Sequence, residues 1–264
     1  MVRVVKIQGG LGNQLFQFAY ADYLREFFNQ EIRLDTSWFS NRKSDTERHL
    51  ELTKIIDSFE FTSTWKSNSK LFQRVFPHNY FREGSENCLN PSSDAKYFLG
   101  YFQDKKFAER VAKNLSESAI DKLSGPQYER IAVHIRRGDY MRPVALDHHG
   151  ICSITYFENS VRRLVPIFGN LEVDVFSDDS QIFREVQHTG WNISNEINNP
   201  FDQIAEMSKY RGLVISNSSF SWWSAQFARD FKRSQIVVAP KLWLANKSPL
   251  DFALRYEDWL TEEK

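Results

Sequence analysis

Two adjacent arginines stand at the end of a short apolar run in the second half of the sequence. Residues 131–135 are rich in β-branched side chains, which predicts a buried strand, and Arg136, Arg137 and Asp139 follow it directly. In open α/β sheets ligands bind at the carboxyl ends of strands, and guanidinium groups donate in a planar fork that suits phosphate oxygens. We therefore expect a phosphorylated ligand at this strand end, although such a pair can also be a solvated surface feature.

Two carboxylates follow the next predicted strand, at residues 171–176. Asp178 and Asp179 come directly after Ser177, at the sheet edge where Arg136 is expected. They could bind a metal, act as acid or base, or accept hydrogen bonds from guanine or from ribose hydroxyls. One of them could instead cap the following helix. The sequence offers no third ligand nearby, so a dedicated metal site is not expected.

A run of small polar residues, 217–219, separates a predicted strand at 213–216 from a predicted helix at 221–231. Free backbone N–H groups and the helix dipole at such a helix start favour a phosphate. A helix cap needs only one residue of this kind, so the run indicates phosphate binding. The neighbouring Trp222 and Trp223 could wall a nucleotide pocket, but core packing is the expectation for both.

A glycine-rich turn lies between a predicted strand at 2–7 and a predicted helix at 15–28. Gly10 and Gly12 allow a tight turn and bring amide groups at the helix start close to an anion or a sugar hydroxyl. The order G-L-G-N-Q-L also resembles the dinucleotide fingerprint G-x-G-x-x-G, with Asp35 after the second predicted strand as the ribose-binding acid. The third glycine is missing, so a nicotinamide site and a purely structural turn both remain open.

Composition excludes several classes of partner. The 34 basic residues balance 34 acidic ones, so no global field favours nucleic acid or an anionic membrane, and any anion site must be local. Cys88 and Cys152 lie far apart and have no metal-ligand spacing, which suits a reducing compartment. The sequence contains no signal peptide and no apolar run long enough to span a bilayer, so we expect a cytoplasmic protein.

Strands alternate with helices along most of the chain, which predicts an α/β fold with mostly parallel sheets covered by helices on both faces. A helix is expected at 107–123, and a Ser-Gly-Pro sequence ends it. We place a domain boundary there, which gives domains at 1–125 and 126–264. With 264 residues and 41% hydrophobic content, each domain has enough material for its own core.

Two stretches are less regular. Residues 140–150, after the arginine pair, are expected to form a long loop. Between residues 40 and 90 the periodicity fades, and aromatic side chains mix with basic ones such as Lys70 and Arg74. No elements are predicted in that second stretch.

Four stretches together resemble the motif set of the bacterial α-1,2-fucosyltransferases of glycosyltransferase family 11, in the α-1,2/α-1,6/protein-O-fucosyltransferase superfamily. They are Gly9 to Gln14, His134 to Asp139, Ser177 to Asp179 and Ser216 to Trp223. The stretches occur in the expected order and span most of the chain, so the resemblance is specific. The bacterial members of this family modify oligosaccharides destined for the cell surface.

The resemblance implies a GT-B fold, with two facing Rossmann-like domains and a cleft between them. The first domain, 1–125, would lie on the acceptor side and the second, 126–264, would bind GDP-fucose, with no metal required. The implied reaction moves L-fucose from GDP-β-L-fucose to the 2-hydroxyl of a galactoside with inversion, as in O-antigen biosynthesis. The acceptor would be a galactose-containing oligosaccharide, free or lipid-linked at the membrane face.

The resemblance also assigns roles to individual residues. Arg136 would bind the β-phosphate, His134 and Asp139 would shape its pocket, and Asn13 would lie near the fucose and the acceptor. Arg136, Asp139 and Asn13 are thus the expected catalytic residues. The residues expected to bind the nucleotide or its phosphates are His134, Arg136, Asp178, Asp179, Ser218, Ser219, Phe220, Gly10 and Gly12.

The base that accepts the acceptor's proton stays open. Asp139, Asp147, His148 and His149 lie on or beside the stretch after the central strand, and none is marked out. Two other classes of function also remain as alternatives. An NAD-dependent oxidoreductase would use the glycine turn, and a non-catalytic carbohydrate-binding protein would use the 15% aromatic content. Both leave the arginine and serine motifs without a role.

Overall fold

The structure is a computed structural model that describes residues 2–40, 48–64, 66, 68–84, 87–194, 197 and 199–264. The chain divides into two compact units, Met1–Ala119 and Ile120–Lys264. Each unit contains one sheet, and all strand pairs among the described strands are parallel. The predicted α/β class, with parallel sheets and helices, is confirmed.

The first unit is built on a five-stranded sheet in the order β3-β2-β1-β5-β4. Its strands are β1 (Arg3–Lys6), β2 (Ile32–Asp35), β3 (Glu60–Thr62), β4 (Tyr80–Arg82) and β5 (Tyr97–Leu99). Its helices are α1 (Leu11–Phe28), α2 (Ser37–Ser40), α3 (Lys70–Val75) and α4 (Lys105–Ala108), and α5 (Glu117–Leu123) runs across the division between the units. Strands β2 and β3 follow on one side of β1, and β5 and β4 lie on its other side. The topological switch point of this sheet therefore lies between β1 and β5, a position that favours ligand binding.

The second unit is built on a six-stranded sheet in the order β11-β10-β9-β6-β7-β8. Its strands are β6 (Tyr128–Ile135), β7 (Val173–Ser177), β8 (Asn192–Ile193), β9 (Tyr210–Val214), β10 (Ile236–Pro240) and β11 (Leu260–Glu262). Its further helices are α6 (Pro143–His149), α7 (Ile154–Phe168), α8 (Ile182–Glu185), α9 (Pro200–Met207), α10 (Ser219–Asp230) and α11 (Leu250–Ala253). The topological switch point of this sheet lies between β6 and β9, and the arginine pair follows β6.

Strand β6 lies at the centre of the second unit's core. Its apolar residues Ile131, Val133 and Ile135 are fully or almost fully buried and belong to one hydrophobic cluster with residues of β7 and α7. Burial of this kind is worth roughly 1.5–3 kcal/mol for each large aliphatic side chain. The packing holds the carboxyl end of β6 rigidly, so the polar residues that follow it have a fixed starting point.

Helix α1 begins earlier than the sequence indicates. The predicted start was residue 15, whereas the helix begins at Leu11, with Gly10 as the preceding residue in extended conformation. The carbonyl of Gly10 accepts hydrogen bonds from the amides of Asn13 and Gln14, both at 3.0 Å, which closes the first helical turn. Gly12 and Asn13 therefore lie within the first turn of the helix and not in a loop before it.

The single helix predicted at 107–123 is wrong. The chain forms α4, a short 3-10 turn at Val111–Asn114 and then α5. Leu115 interrupts the helix because it forms an antiparallel bridge with Ile56, and the amide of Ser116 donates to the carbonyl of Ile55 at 2.9 Å. A tertiary contact therefore overrides a local helical periodicity.

The long loop predicted at 140–150 is also wrong, because most of it is helical. A 3-10 turn at Gly138–Met141 leads into α6, which begins at Pro143 and ends at His149. Proline is favoured in the first turn of a helix because its missing N–H would have no partner there. Gly150 ends the helix at a φ of +64°, which a residue with a side chain rarely adopts.

None of the helices in the described part of the chain is long and apolar enough to cross a lipid bilayer.

Candidate active site

Arg136 is held by two carboxylates at the carboxyl end of β6. Its Nη1 lies 2.7 Å from Oδ2 of Asp178, and its Nη2 pairs with Oδ1 of Asp139. Only 14% of the Arg136 side chain is exposed. Burial alone would lower the pKa of Arg136, but the charges of Asp178 and Asp139 outweigh it and raise the pKa. The guanidinium is therefore a fixed, permanently charged group at the strand end.

The ring of Tyr140 lies beneath this guanidinium. The central carbon of the Arg136 guanidinium lies 5.3 Å from the ring centroid, and the Tyr140 hydroxyl donates to the carbonyl of Asn217 at 3.3 Å. The same ring stacks on His149 at 4.5 Å. Sequence reasoning did not assign a role to Tyr140, although an aromatic residue placed directly after an Arg-Arg-Gly-Asp sequence is a signal that could have suggested one.

Asp178 joins the ends of two neighbouring strands. Besides its pair with Arg136, its Oδ1 accepts a hydrogen bond from the backbone amide of Arg137 at 2.9 Å. Gly138 has a φ of +31°, and a Cβ there would collide with Oδ2 of Asp178. The glycine of the motif is therefore required both by the backbone conformation and by the close approach of this carboxylate.

Asp179 has a different environment from its neighbour. Its Oδ1 accepts from the amide of Gln181 at 2.9 Å, and its own amide donates to Oγ of Ser177 at 3.1 Å. This is a local turn stabilised by a side chain and not a helix cap, since Gln181 is the N-cap of α8 and that cap makes no side-chain hydrogen bond. The structure therefore brings Asp178 to Arg136, while the carboxylate of Asp179 stabilises the turn before α8.

His134 connects the end of β6 to the end of β9. Its Nδ1 shares a hydrogen bond of 3.2 Å with Oγ of Ser216, and its ring stacks on Phe220 at 5.3 Å. Burial, followed by the charge of Arg136, lowers the pKa of His134 to about 3. The imidazole is thus neutral at ordinary pH and forms a buried link between the arginine motif and the serine motif.

The serine motif forms the start of α10. Ser218 precedes the helix in extended conformation, and its Oγ accepts from the amide of Phe220 at 3.3 Å, so it is the N-cap. Ser219 and Phe220 lie in the first turn, where the helix dipole places positive charge. Trp222 and Trp223 are fully buried, as their predicted core role requires.

Asn217 is a structural centre of the site that the sequence did not single out. Its Nδ2 lies within hydrogen-bonding distance of three backbone carbonyls, those of His149 at 2.9 Å, Gly150 at 3.3 Å and Trp243 at 3.0 Å. Nζ of Lys264 donates to the first and third of these carbonyls at 2.9 and 3.2 Å. An asparagine inside a buried strand-to-helix turn is the sequence signal for such a role.

The candidate bases differ in their surroundings. Asp139 is paired with Arg136, and His149 stacks on Tyr140 beneath that guanidinium. Burial and the neighbouring His148 lower the pKa of His149, so its imidazole is neutral at ordinary pH. Asp147 lies in α6 with both histidines.

In the first unit, the glycine turn lies at the carboxyl end of β1. Gly9 has a φ of +82°, and a Cβ there would come within 2.9 Å of Nδ2 of Asn13. Oδ1 of Asn13 accepts from Nε2 of Gln103 at 2.7 Å, a partner that the sequence did not indicate. Gly10 and Gly12 stand beside Asn13 at the start of α1. The predicted residues of this motif thus lie together at one edge of the first sheet.

Asp35 is used by the fold of the first unit. Its side chain is fully buried, and its oxygens accept from the amides of Ser37 at 3.0 Å and Thr64 at 2.9 Å and from the hydroxyl of Ser37 at 2.9 Å. A ribose-binding acid must present its carboxylate to the ligand. The geometry of Asp35 therefore argues against the nicotinamide interpretation of the glycine turn.

Within the described ranges, no three His, Cys, Asp or Glu side chains are grouped so that they could hold a metal ion.

Comparison with known sequences identifies the family. The sequence model of glycosyl transferase family 11 matches residues 76–262, more than half of the chain. The O-antigen biosynthesis glycosyltransferase WbnK of Escherichia coli is 29% identical, over 92% of this chain and 96% of its own. An alpha-1,2-colitosyltransferase of Escherichia coli is 28% identical, over 99% of both chains.

Solved fucosyltransferase structures have a similar fold. POFUT1 in complex with GDP aligns with a TM-score of 0.51 at 13% identity, over 88% of this chain and 95% of that one. The fucosyltransferase NodZ from Bradyrhizobium aligns with a TM-score of 0.51 at 12% identity, over 85% and 93% of the two chains. At these identities the likeness concerns the fold, and it confirms the GT-B-like α/β fold that the family resemblance implied.

Proposed function

Because this chain belongs to glycosyl transferase family 11, we propose that it transfers L-fucose from GDP-β-L-fucose to the 2-hydroxyl of a galactoside. The new linkage is α-1,2 and the anomeric configuration inverts. Residues 126–264 bind the donor, and residues 1–125 bind the acceptor, a galactose-containing oligosaccharide. The enzyme acts in the cytoplasm, at the inner face of the membrane when the acceptor is lipid-linked, and its role is O-antigen synthesis. The name of the WbnK relative supports that role.

The observation that carries the proposal is the fixed position of Arg136. A buried guanidinium held between two carboxylates lies at the carboxyl end of β6, and the neutral His134 links that strand end to Ser216, just before α10. A permanently charged fork and the positive end of a 12-residue helix together suit a diphosphate.

The proposed mechanism follows from the movement of charge. As the bond between the sugar and the diphosphate breaks, the sugar becomes positive and the leaving diphosphate gains negative charge. Arg136 donates to the β-phosphate, and the positive end of the α10 dipole lies at Ser218 and Ser219, so the growing charge is stabilised without a metal. Asp178 and Asp139 keep the guanidinium in place during this step.

The remaining residues have supporting roles in this proposal. His134 and Phe220 form the floor beneath the phosphates, and Asp179 fixes the turn beside them. On the acceptor side, Asn13 contacts the fucose and the acceptor hydroxyl, with Gln103 holding its amide. Gly10 and Gly12 allow the sugar to approach the start of α1 closely.

A second candidate donor is GDP-colitose. Colitose is the 3-deoxy analogue of fucose, so the same diphosphate contacts would serve both sugars. The 28% identity over 99% of both chains to an α-1,2-colitosyltransferase is the observation that favours it. The choice depends on whether a polar group of the protein binds the 3-hydroxyl, because a site built to pair with a hydroxyl strongly rejects a substrate that lacks it.

The test is release of GDP from GDP-fucose and from GDP-colitose, with and without galactose-terminated oligosaccharides. Each reaction is run in the presence of a chelator, and the Arg136→Ala variant is the control. We expect acceptor-stimulated release that survives the chelator and disappears in the variant, with an α-1,2-linked product by nuclear magnetic resonance. Release that is independent of Arg136, or binding of a nicotinamide dinucleotide in place of GDP, would contradict the proposal.

A further inference from the structure

A pocket lies within the first unit, at the carboxyl edge of its sheet. It has a volume of about 820 Å³. Lys6 and Gln8 line it from the end of β1, Gly100 from the end of β5, and Arg82 from the end of β4. Since the topological switch point of this sheet lies between β1 and β5, the pocket lies where open α/β sheets bind ligands. It also borders the glycine turn that leads to Asn13.

The pocket is strongly basic. Lys6, Lys70, Arg74 and Arg82 contribute four positive charges and Glu83 contributes one negative charge, which leaves a net charge of +3 on the lining. The protein as a whole has a net charge of zero. Positive charge is therefore concentrated here by the fold, because α3 brings its basic residues to the ends of strands that are distant in sequence.

Helix α3 presents two of these charges at a cost to its own stability. Lys70 and Arg74 are four residues apart, so they lie on the same face of the helix, where two like charges repel each other. Both side chains are exposed, and no carboxylate among the described residues is paired with either of them. An anion between the two charges would relieve this repulsion.

The other two cations lie at strand ends, Lys6 at the end of β1 and Arg82 at the end of β4. Nη2 of Arg82 donates to Oε1 of Gln73, which lies on α3. Burial lowers the pKa of Lys6, the nearby Asp35 raises it, and the charge of Arg82 lowers it again. The single acid of the lining is already engaged, because Oε2 of Glu83 accepts from the amide of Tyr101 at 2.6 Å.

We propose that this pocket binds a diphosphate group at the reducing end of the glycan acceptor. A neutral glycan brings no charge to this basic lining and one carboxylate brings a single negative charge, whereas a diphosphate diester carries two negative charges and several acceptor oxygens. The pocket contacts the phosphates in the same way whether they belong to a lipid carrier or to a free sugar diphosphate. This inference rests on the proposed glycosyl transfer and specifies its acceptor.

The first experiment does not depend on turnover. Binding of inorganic pyrophosphate is measured by calorimetry in the Arg136→Ala protein, so that the donor site does not contribute. The pocket variant is Lys70→Gln with Arg74→Gln, and the matched control is Lys106→Gln with Lys113→Gln, two exposed lysines of the same unit that do not line the pocket. We expect pyrophosphate binding to weaken about five- to thirtyfold in the pocket variant and to stay unchanged in the control. Equal binding in both would overturn the proposal.

The second experiment uses the otherwise unmodified enzyme and four forms of one galactose-terminated acceptor. Its reducing end is a lipid-linked diphosphate, a free diphosphate, a uronate or a neutral methyl glycoside. We expect the pocket variant to raise KM for both diphosphate forms by about five- to thirtyfold, while KM for the neutral acceptor and for the donor stays unchanged. An effect on the lipid-linked form alone would identify the lipid carrier as the source. An equal effect on the uronate would overturn the diphosphate assignment.

The two experiments separate this inference from the proposed function. Pyrophosphate binding that needs Lys70 and Arg74, without transfer of any sugar to any acceptor, would support the anion site and overturn the proposed reaction. Transfer to neutral and diphosphate acceptors that is equally efficient in the unmodified enzyme and in the pocket variant would support the reaction and overturn the acceptor site.

Discussion

Nη1 of Arg136 lies 2.7 Å from Oδ2 of Asp178, and this ion pair joins the carboxyl ends of two neighbouring strands, β6 and β7. Asp178 also accepts from the amide of Arg137, so one carboxylate fixes both the side chain and the backbone of the arginine motif. We therefore regard Asp178 as the residue that positions Arg136, which differs from the direct nucleotide contact that the family resemblance implied for it.

The variant Asp178→Asn tests that positioning role. An asparagine can still accept from the Arg137 amide, but its NH₂ group would face the guanidinium donors, so Arg136 loses one of its two anionic partners. We expect kcat/KM to fall by about 10- to 100-fold, because displacing a catalytic group by about 1 Å or less has an effect of this size. Steady-state kinetics provide the measurement.

The control for this variant is Glu129→Gln, which removes the carboxylate of an exposed ion pair with Arg211 at the other end of β6. It should retain the activity of the unmodified enzyme, because exposed pairs contribute little. A normal rate for Asp178→Asn would show that Asp139 alone is enough to hold Arg136.

Arg136→Lys separates charge from geometry. Lysine keeps the positive charge but cannot donate to two carboxylates and a phosphate from one planar group. We expect kcat to fall by about 10² to 10³, the usual cost of losing one preorganised donor, while the fold is retained. Circular dichroism and thermal unfolding would verify the fold. Activity close to normal would remove Arg136 from its proposed role.

Gly138→Ala tests the close approach between the arginine motif and Asp178. The added Cβ would collide with the Asp178 carboxylate, so the carboxylate must move away from Arg136. The matched control is Gly190→Ala, which has a φ of +72° and no atom within 4 Å of the added carbon. Both variants should lose about 1 kcal/mol of stability from the left-handed backbone, but only Gly138→Ala should lose activity. Equal activities would indicate that Asp178 can move without consequence.

His134 makes the stability of the protein depend on pH. Its folded pKa of about 3 lies below the ordinary value of 6.5, so the unfolded chain binds the proton more tightly. This histidine therefore contributes full stability above pH 6.5, and that contribution is lost as the pH falls from 6.5 towards 3, by at most about 1.4 kcal/mol per pH unit. The measurement is the free energy of unfolding between pH 7 and pH 4.

His134→Gln removes the titration and keeps a group that can bond to Ser216. Its unfolding free energy should depend less steeply on pH than that of the unmodified protein. The control is His188→Gln, at an exposed histidine that bonds to Glu158. If the slope of His134→Gln matched that of the unmodified protein, protonation of His134 would have no part in acid unfolding.

Asn217→Asp tests the buried amide that joins three segments of the second unit. A carboxylate cannot donate to the carbonyls of His149, Gly150 and Trp243, and it would place a negative charge against them. We expect a loss of about 2–4 kcal/mol in unfolding free energy, measured by denaturant titration. The half-buried Asn159→Asp, beside the exposed Arg162, should change it by less than about 0.5 kcal/mol. A small effect at Asn217 would mean that Lys264 alone can satisfy the carbonyls of His149 and Trp243.

The sequence by itself determined where the chemistry would lie. The arginine, aspartate and serine motifs each follow a short buried strand, and parallel strands bring their carboxyl ends to the same edge of a sheet. This local pattern was sufficient to predict the α/β class and to place these three motifs at the carboxyl ends of strands. It also predicted the burial of Trp222 and Trp223, since large aromatic residues in a helix beside a sheet are usually core residues.

The tertiary structure alone decided which partners these residues have. The bond between His134 and Ser216 joins residues 82 positions apart, and the basic pocket brings Lys70 and Arg74 to the ends of β1 and β4. Such contacts depend on the order of the strands and on the packing of helices against them, which local periodicity does not encode. For the same reason the helix predicted at 107–123 was interrupted, since the bridge from Leu115 to Ile56 outweighs local helix propensity.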